Sequence, residues 1–156
     1  IIFKLLEYRK NIQSITIMIQ KEVADRINAK PHSKDYGVLT INTNYMADVV
    51  KLFNVPNTSF IPAPNVTSAV IQIIPNESKE KELEIKDEDV FKDLVKKAFS
   101  ARRKKLSNSL QNSGINNISK QDIENMIEQV GLNLNCRAEE VSIEQYAKMA
   151  NIIVKY

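Results

Sequence analysis

Ser59-Phe60-Ile61-Pro62-Ala63-Pro64-Asn65-Val66-Thr67-Ser68 is the stretch whose residue types and spacing come nearest to a chemical task. Pro62 and Pro64 fix their own backbone angles and push Ile61 and Ala63 into extended conformations, so the loop has little freedom left to lose. Phe60 is then offered from a stiff support. A rigidly held ring at the rim of a sheet suits the stacking of a base taken out of its helix, a contact worth roughly 1–3 kcal/mol. The same ring also suits a plainer role as a plug in the core between two strands, and the residues alone leave both readings open.

A second concentration of chemistry lies further on. Between Lys92 and Leu110 seven basic residues, Lys92, Lys96, Lys97, Arg102, Arg103, Lys104 and Lys105, face the single acid Asp93. Such a run offers contacts to phosphates, or is simply a solvated face. Bulk charge does not choose between them, because 22 basic against 19 acidic residues leave a net charge of only +3. Cys136 and His32 are each alone of their kind, which excludes an internal disulfide and leaves no Cys/His cluster for zinc. Gly37, Gly114 and Gly131 are too far apart to build a glycine-rich nucleotide loop. No apolar run is long enough to cross a membrane, and the chain opens without the layout of a secretory signal.

The elements that must position these residues follow from periodicity. Ile2, Leu5, Leu6 and Arg9 recur at helical spacing and read as the tail of an amphipathic helix entered part-way, so the chain looks cut. Ile15 to Ile19 is a β-branched, nearly continuous apolar run, which predicts a strand buried on both faces within a parallel sheet. Lys21 to Ile27 changes to helical spacing, and Pro31 to Asp35 is a polar loop. Tyr36 to Met46 is ambiguous, since Val38, Ile41 and Tyr45 suit a helix while Thr40, Ile41 and Thr43 favour a strand. Asp48 to Val55 and Val66 to Ile74 predict strands flanking the proline loop.

From Asn76 to Lys86 the chain is rich in Glu and Lys, poor in apolar residues, and reads as a linker. Beyond it the pattern is helical. Asp87 suits the N-cap of a helix burying Phe91, Leu94, Val95, Ala98 and Phe99. Ser119 with Asp122, and Ser142 with Gln145, repeat the capping pattern before two more helices, the first of which ends at Gly131. The expected fold is α/β over residues 1–76, followed by a small all-α domain of about three helices over 77–156.

Several separately spaced motifs resemble one family. They are Met18-Ile19-Gln20-Lys21-Glu22-Val23-Ala24, Ala29-Lys30-Pro31 with Ser33-Lys34-Asp35-Tyr36-Gly37, and the Phe-x-Pro-x-Pro-x-Val-x-Ser loop. Ala98-Phe99-Ser100 with Arg102-Arg103-Lys104, Asn108-Ser109-Leu110, and Arg137-Ala138-Glu139-Glu140 continue the likeness in order. Together they resemble the ribosomal RNA adenine dimethyltransferases of the small-subunit type, over nearly the whole chain.

The resemblance implies the C-terminal part of a class I methyltransferase, Rossmann-like sheet, with S-adenosylmethionine donating methyl groups to two adjacent adenines of small-subunit ribosomal RNA. It also implies a cytoplasmic enzyme with a role in ribosome biogenesis, working on the immature 30S subunit. On it, Tyr36 to Met46 becomes a helix and Ile15 to Ile19 a central strand. Phe60, Pro62, Pro64 and Ser68 become the target-base positions, and Lys96, Arg102, Arg103, Lys104 and Lys105 the RNA-binding positions.

The chemistry implied is displacement at the donor's methyl carbon, which asks mainly for orientation and desolvation. The family's Asn-Leu-Pro-Tyr type motif and its donor-binding residues are absent from these positions, so no catalytic residue is assigned and the segment alone is expected to be inactive. Asn65 and Thr67 depart from the basic and acidic residues frequent in the family, and His32 from a small one. Three other readings stand beside this one. They are a resistance methyltransferase acting on large-subunit RNA, a noncatalytic RNA-binding or ribosome-assembly module, and a helical DNA-binding domain over Ser119 to Ile153. The last has little positive charge to enter a groove.

Overall fold

β-Branched residues crowd the stretch that enters the sheet first, and the extended backbone they favour is what forms. In the computed structural model, which describes residues 1–115 and 118–156 and only the backbone of Glu80, strand β1 covers Ile15–Gln20. Strands β2 (Ala47–Val55) and β3 (Ser68–Pro75) complete a three-stranded sheet in the order β1-β3-β2. Both pairings are antiparallel.

This corrects the expectation of a parallel, two-sidedly buried β1. Among the described residues β1 pairs with β3 alone, and its side chains alternate: Ile15 is buried, whereas Met18 is 51% exposed. An unbroken apolar run carries no information on strand direction, and it looks the same whether one face or two are covered. The helices lie against the face that buries Ala47, Ala69, Ile71 and Ile73, and the opposite face leaves Met18, Val50 and Phe53 exposed.

Helix α1 (Ile2–Glu7) precedes the sheet, and α2 (Lys21–Ile27) leaves β1 without a loop. The ambiguous stretch is a helix, α3 (Val38–Asn44). Its strand-favouring residues serve a different purpose. The Thr40 hydroxyl donates to the Arg26 carbonyl at 2.6 Å and Asn44 Nδ2 to the Ile27 carbonyl at 2.7 Å, so both satisfy the open C-terminal end of α2.

The stretch expected as a linker is folded. Asn76 caps α4 (Glu77–Leu83) by accepting from the Lys79 N–H, and its Nδ2 donates to Asp48 at 2.6 Å. Lys79 pairs with the same carboxylate at 3.2 Å, and these two partners hold Asp48 below the usual carboxylate range, Asn76 foremost. At the far end Asn151 donates to the Glu84 carbonyl and accepts from the Lys86 N–H. Leu83 and Ile85, the few apolar residues present, pack against the core.

Helices α5 (Glu88–Ala98), α7 (Lys120–Gln129) and α8 (Ile143–Ile153) begin at Asp87, Ser119 and Ser142, each of which caps through its side chain. Helix α6 (Leu106–Asn112) was not expected, because its Ser and Asn residues weigh against a helix by propensity. Its place is set by burial of Leu106, Ser107, Ser109 and Leu110. No helix among the described residues is long and apolar enough to cross a membrane.

A single apolar cluster runs from the sheet's covered face into the helices. Tyr45 meets Phe91 with ring centroids 5.0 Å apart, and the Tyr36 hydroxyl donates to the Val141 carbonyl at 2.8 Å. Glu88 seals one margin, accepting from Arg9 at 2.7 Å, Lys92 at 3.0 Å and Tyr45 at 3.1 Å. Burial alone raises the Glu88 carboxyl, but Lys92, Arg9 and Tyr45 outweigh it and hold it below the ordinary range.

A depressed carboxylate contributes stability that is complete above its unfolded value of about 4.3 and is lost as pH falls through the folded one. Glu88→Gln therefore lowers unfolding free energy by about 1 kcal/mol at pH 7. The difference from the unaltered protein shrinks below pH 4, which urea melts at the two pH values will show. Cys136 is 4% exposed, and burial followed by Glu140 pushes its thiol up to about 11. A thiol reagent at pH 8 is expected to label it only as fast as the chain unfolds; stoichiometric labelling within seconds in native buffer would contradict this placement.

Candidate functional site

The loop from β2 to β3 is short of freedom at both ends. Pro56 closes β2, a 3-10 turn over Asn57–Ser59 follows, and Phe60 has an extended backbone at φ −122°. The Phe60 N–H donates to the Asn57 carbonyl at 3.2 Å, and Asn57 Nδ2 reaches across to the Pro64 carbonyl at 3.1 Å. On the β3 side the Lys21 N–H donates to the Thr67 carbonyl at 2.9 Å, which ties the loop's exit to the start of α2.

Phe60 is half-buried and lies outside the buried core, whereas Ile61 beside it is fully exposed. The ring is therefore neither a core plug nor a free surface side chain. Pro62 is exposed and Pro64 half-buried. Ser68 stands half-buried at the first position of β3, paired with Gln20 of β1 and Val55 of β2. All four target-base candidates thus occupy one end of the sheet. Asn65, which departs from the basic residue expected by resemblance, is exposed and carries no charge.

The basic candidates cluster at the turn between α5 and α6. Three bonds fix that turn: the Lys104 N–H to the Ala101 carbonyl at 2.8 Å, the buried Ser109 hydroxyl to the same carbonyl, and the Leu106 N–H to the Cys136 carbonyl. Lys96, Arg103, Lys104 and Lys105 are exposed and form no ion pair among the described residues. Their neighbours are committed elsewhere, Lys92 to Glu88 and Lys97 to Asp93.

Arg102 differs from the other candidates. Its Nε donates to Glu139 at 2.8 Å and its Nη2 to the Ser33 carbonyl at 3.3 Å. The Glu139 carbonyl in turn accepts from the His32 N–H at 2.8 Å. His32 sits at φ 69°, in the left-handed region that favours glycine, which explains why a small residue suits that loop position. Arg137 to Glu140, visible in the sequence only as a motif, is thus a bracket holding the 31–35 loop against the helices.

The two candidate regions do not touch. Helix α2 runs between them, its start tied to Thr67 and its end leading to the loop that Arg102 clasps, a span of roughly 10 Å for seven residues. Along this path lies a cleft of about 470 Å³ lined by Glu22, Asp25, Arg26, Lys34, Asp35 and Arg102. Asp25 is held below the usual carboxylate range by Lys21 and then by Lys51, so this acid of the cleft is already paired. Sequence reading missed Arg26 and Lys34 here, because their proximity to Arg102 arises only from the fold. Asn57 was missed as well, although its position three residues before Phe60 was a local signal for a turn.

Comparison with known proteins gives this geometry its context. The family model described as ribosomal RNA adenine dimethylase matches residues 1–155. The ribosomal RNA small subunit methyltransferase A of Lachnoclostridium phytofermentans is 41% identical over 153 residues, 98% of this chain and 52% of that protein. The protein of the same name from Bacillus cytotoxicus is 38% identical over 158 residues, covering 100% and 53%. The chain therefore spans about half the length of these relatives.

Among solved structures, a dimethyladenosine transferase from Plasmodium falciparum superposes with a TM-score of 0.81 at 26% identity, over 99% of this chain and 62% of that one. The 23S rRNA methyltransferase ErmE superposes at 0.54 with 18% identity over 92% and 55%, a likeness of fold alone. The proline loop, the Arg137 bracket and the basic turn all fall inside the matched length, and the chain belongs to the ribosomal RNA adenine dimethylase family.

Proposed function

We propose that this chain is the RNA-facing part of an rRNA adenine N6,N6-dimethyltransferase, which moves methyl groups from S-adenosylmethionine to two adjacent adenines of small-subunit rRNA in the cytoplasm. The observation that carries the proposal is Phe60, half-buried at the tip of a proline-braced loop and outside the core. A flipped adenine stacked there has its exocyclic amine fixed in direction, and orientation is the larger part of what a methyl transfer needs. Pro62 and Pro64 keep the ring's support stiff, and Ser68 stands at the sheet end beneath the loop.

The donor's binding residues are proposed to lie in parts of the polypeptide outside these 156 residues. Gly37 opens α3, and Gly114 and Gly131 follow α6 and α7 with positive φ, so the glycines serve helix ends rather than a nucleotide loop. S-Adenosylmethionine supplies the methyl group; the residues of this chain hold the acceptor base and the RNA backbone.

The helical part, residues 77–156, is proposed as the RNA-binding domain. Lys96, Arg103, Lys104 and Lys105 meet phosphates, while Arg102 first secures the turn and then adds its remaining charge. Phosphate contacts of this kind position the enzyme, and the shape of an immature small subunit supplies the selection. Small-subunit RNA is preferred over large because the relatives near 40% identity carry the small-subunit name. A second reading, a noncatalytic RNA-binding or ribosome-assembly module, draws on the same rigid basic turn. It applies to these residues when the donor-binding part is absent.

Phe60→Ala in the complete polypeptide is expected to lower kcat about 10- to 100-fold, matching the loss of one stacking contact. Donor affinity by calorimetry stays unchanged; equal losses in both would make Phe60 structural. Arg103→Ala with Lys104→Ala should weaken small-subunit binding and reduce the slope of log K against log salt by roughly 2, with the melting temperature unmoved. Arg102→Ala should lower the melting temperature too, through the lost Glu139 and Ser33 bonds. An unchanged salt slope in the double variant would remove the turn from the interface.

A further inference from the structure

The loop that presents Phe60 has two prolines within one limb and, on the other, only Pro56 at its root. Pro62 and Pro64 stiffen the limb that follows the ring, but Asn57, Thr58 and Ser59 before it carry no such restraint. Something else must hold the first limb, and the structure shows what does. Asn57 is half-buried while Pro56, Thr58 and Ser59 around it are exposed, so its side chain points into the loop. There its Nδ2 donates to the Pro64 carbonyl at 3.1 Å, joining the two limbs below the ring. Its own carbonyl accepts from the Phe60 N–H at 3.2 Å, so one residue fixes the ring's backbone and ties the limbs together.

We infer that Asn57 is a positioning residue for the target base, acting through Phe60. This rests on the reading of Phe60 as the stacking surface and names the residue that sets its direction. Asn57 touches no reacting atom. Without its N–H donor the Pro64 carbonyl loses its partner, the first limb regains freedom, and the ring samples directions in which a stacked adenine is out of line. The cost falls on turnover and spares donor binding, because the hydrogen bonds of Asn57 to Pro64 and Phe60 stay within the loop.

The test is a double-mutant cycle in the complete polypeptide, with S-adenosylmethionine and undermethylated small ribosomal subunits as substrates. Asn57→Asp keeps the size and removes the donor; Asn57→Ala is measured in parallel in case the added charge disturbs folding. Each is expected to lower kcat about fivefold, the weight of one hydrogen bond, with the donor KM and melting temperature unchanged. In a Phe60→Ala background the same changes should have no further effect. Full multiplication of the two losses, or a matching fall in donor affinity, would overturn the inference. If Phe60→Ala lowers turnover and the Asn57 variants do not, the role of Asn57 alone falls. If Phe60→Ala leaves turnover intact, the stacking reading fails and takes this one with it.

Discussion

Strand β3 is hydrogen-bonded along both edges, to β1 on one side and to β2 on the other. Its first residue, Ser68, is therefore among the least movable points at that end of the sheet, and the proline loop enters β3 directly there. The loop leaves β2, an outer strand among the described residues, but its exit is anchored on a doubly paired strand and inherits that strand's position. The bulge between Lys51 and Phe53 in β2 adds twist at the same end. Stiffness inside the loop would orient nothing if its footing shifted, so the pairing of β3 comes before the prolines in the causal order.

The second footing is the joint between the sheet side and the helices. Tyr36 and Val141, Arg102 and Ser33, His32 and Glu139, and Glu88 with Arg9 and Tyr45 all cross it. The acidic and basic side chains in this set stand at the margins, and the hydroxyl of Tyr36 is buried. Surface pairs of this kind each contribute little, whereas the apolar cluster beneath them contributes most of the cohesion. The polar bonds set register and the burial holds it. A fixed separation between ring and basic turn follows, and a fixed separation is what lets a protein recognise a folded RNA by shape.

Local signals were legible in the sequence to the extent that they were local. Asp87, Ser119 and Ser142 announced their helices because a cap acts within four residues. Val66 to Ile74 announced β3 through alternation. Strand direction in β1 was not legible, since side-chain periodicity is the same in either orientation. Helix α6 was hidden because Ser107 and Ser109 are buried despite their polarity, Ser109 with its hydroxyl bonded to the Ala101 carbonyl. The 76–86 stretch looked like a linker because its cohesion comes from Asp48 and Asn151, both distant in the chain. Of the candidate site, the proline loop was visible from Ser59 onward, whereas Asn57 before it was not. What separates Arg102 from its neighbours was not, since Glu139 lies 37 positions away.

That separation bears on how, on the proposed reading, a chain with a net charge of +3 would hold a polyanion. Counterion release scales with the number of phosphates contacted, and the charge of the rest of the molecule enters only through a field screened within about 8 Å at physiological salt. Acids remote from the turn are therefore nearly silent at it. Two acids close to it are paired: Asp93 to Lys97 and Glu139 to Arg102. These two ion pairs offset acids that would repel a phosphate, while Lys96, Arg103, Lys104 and Lys105 are exposed. A local surplus built this way would attract a polyanion without the self-repulsion that a uniformly basic chain suffers on folding.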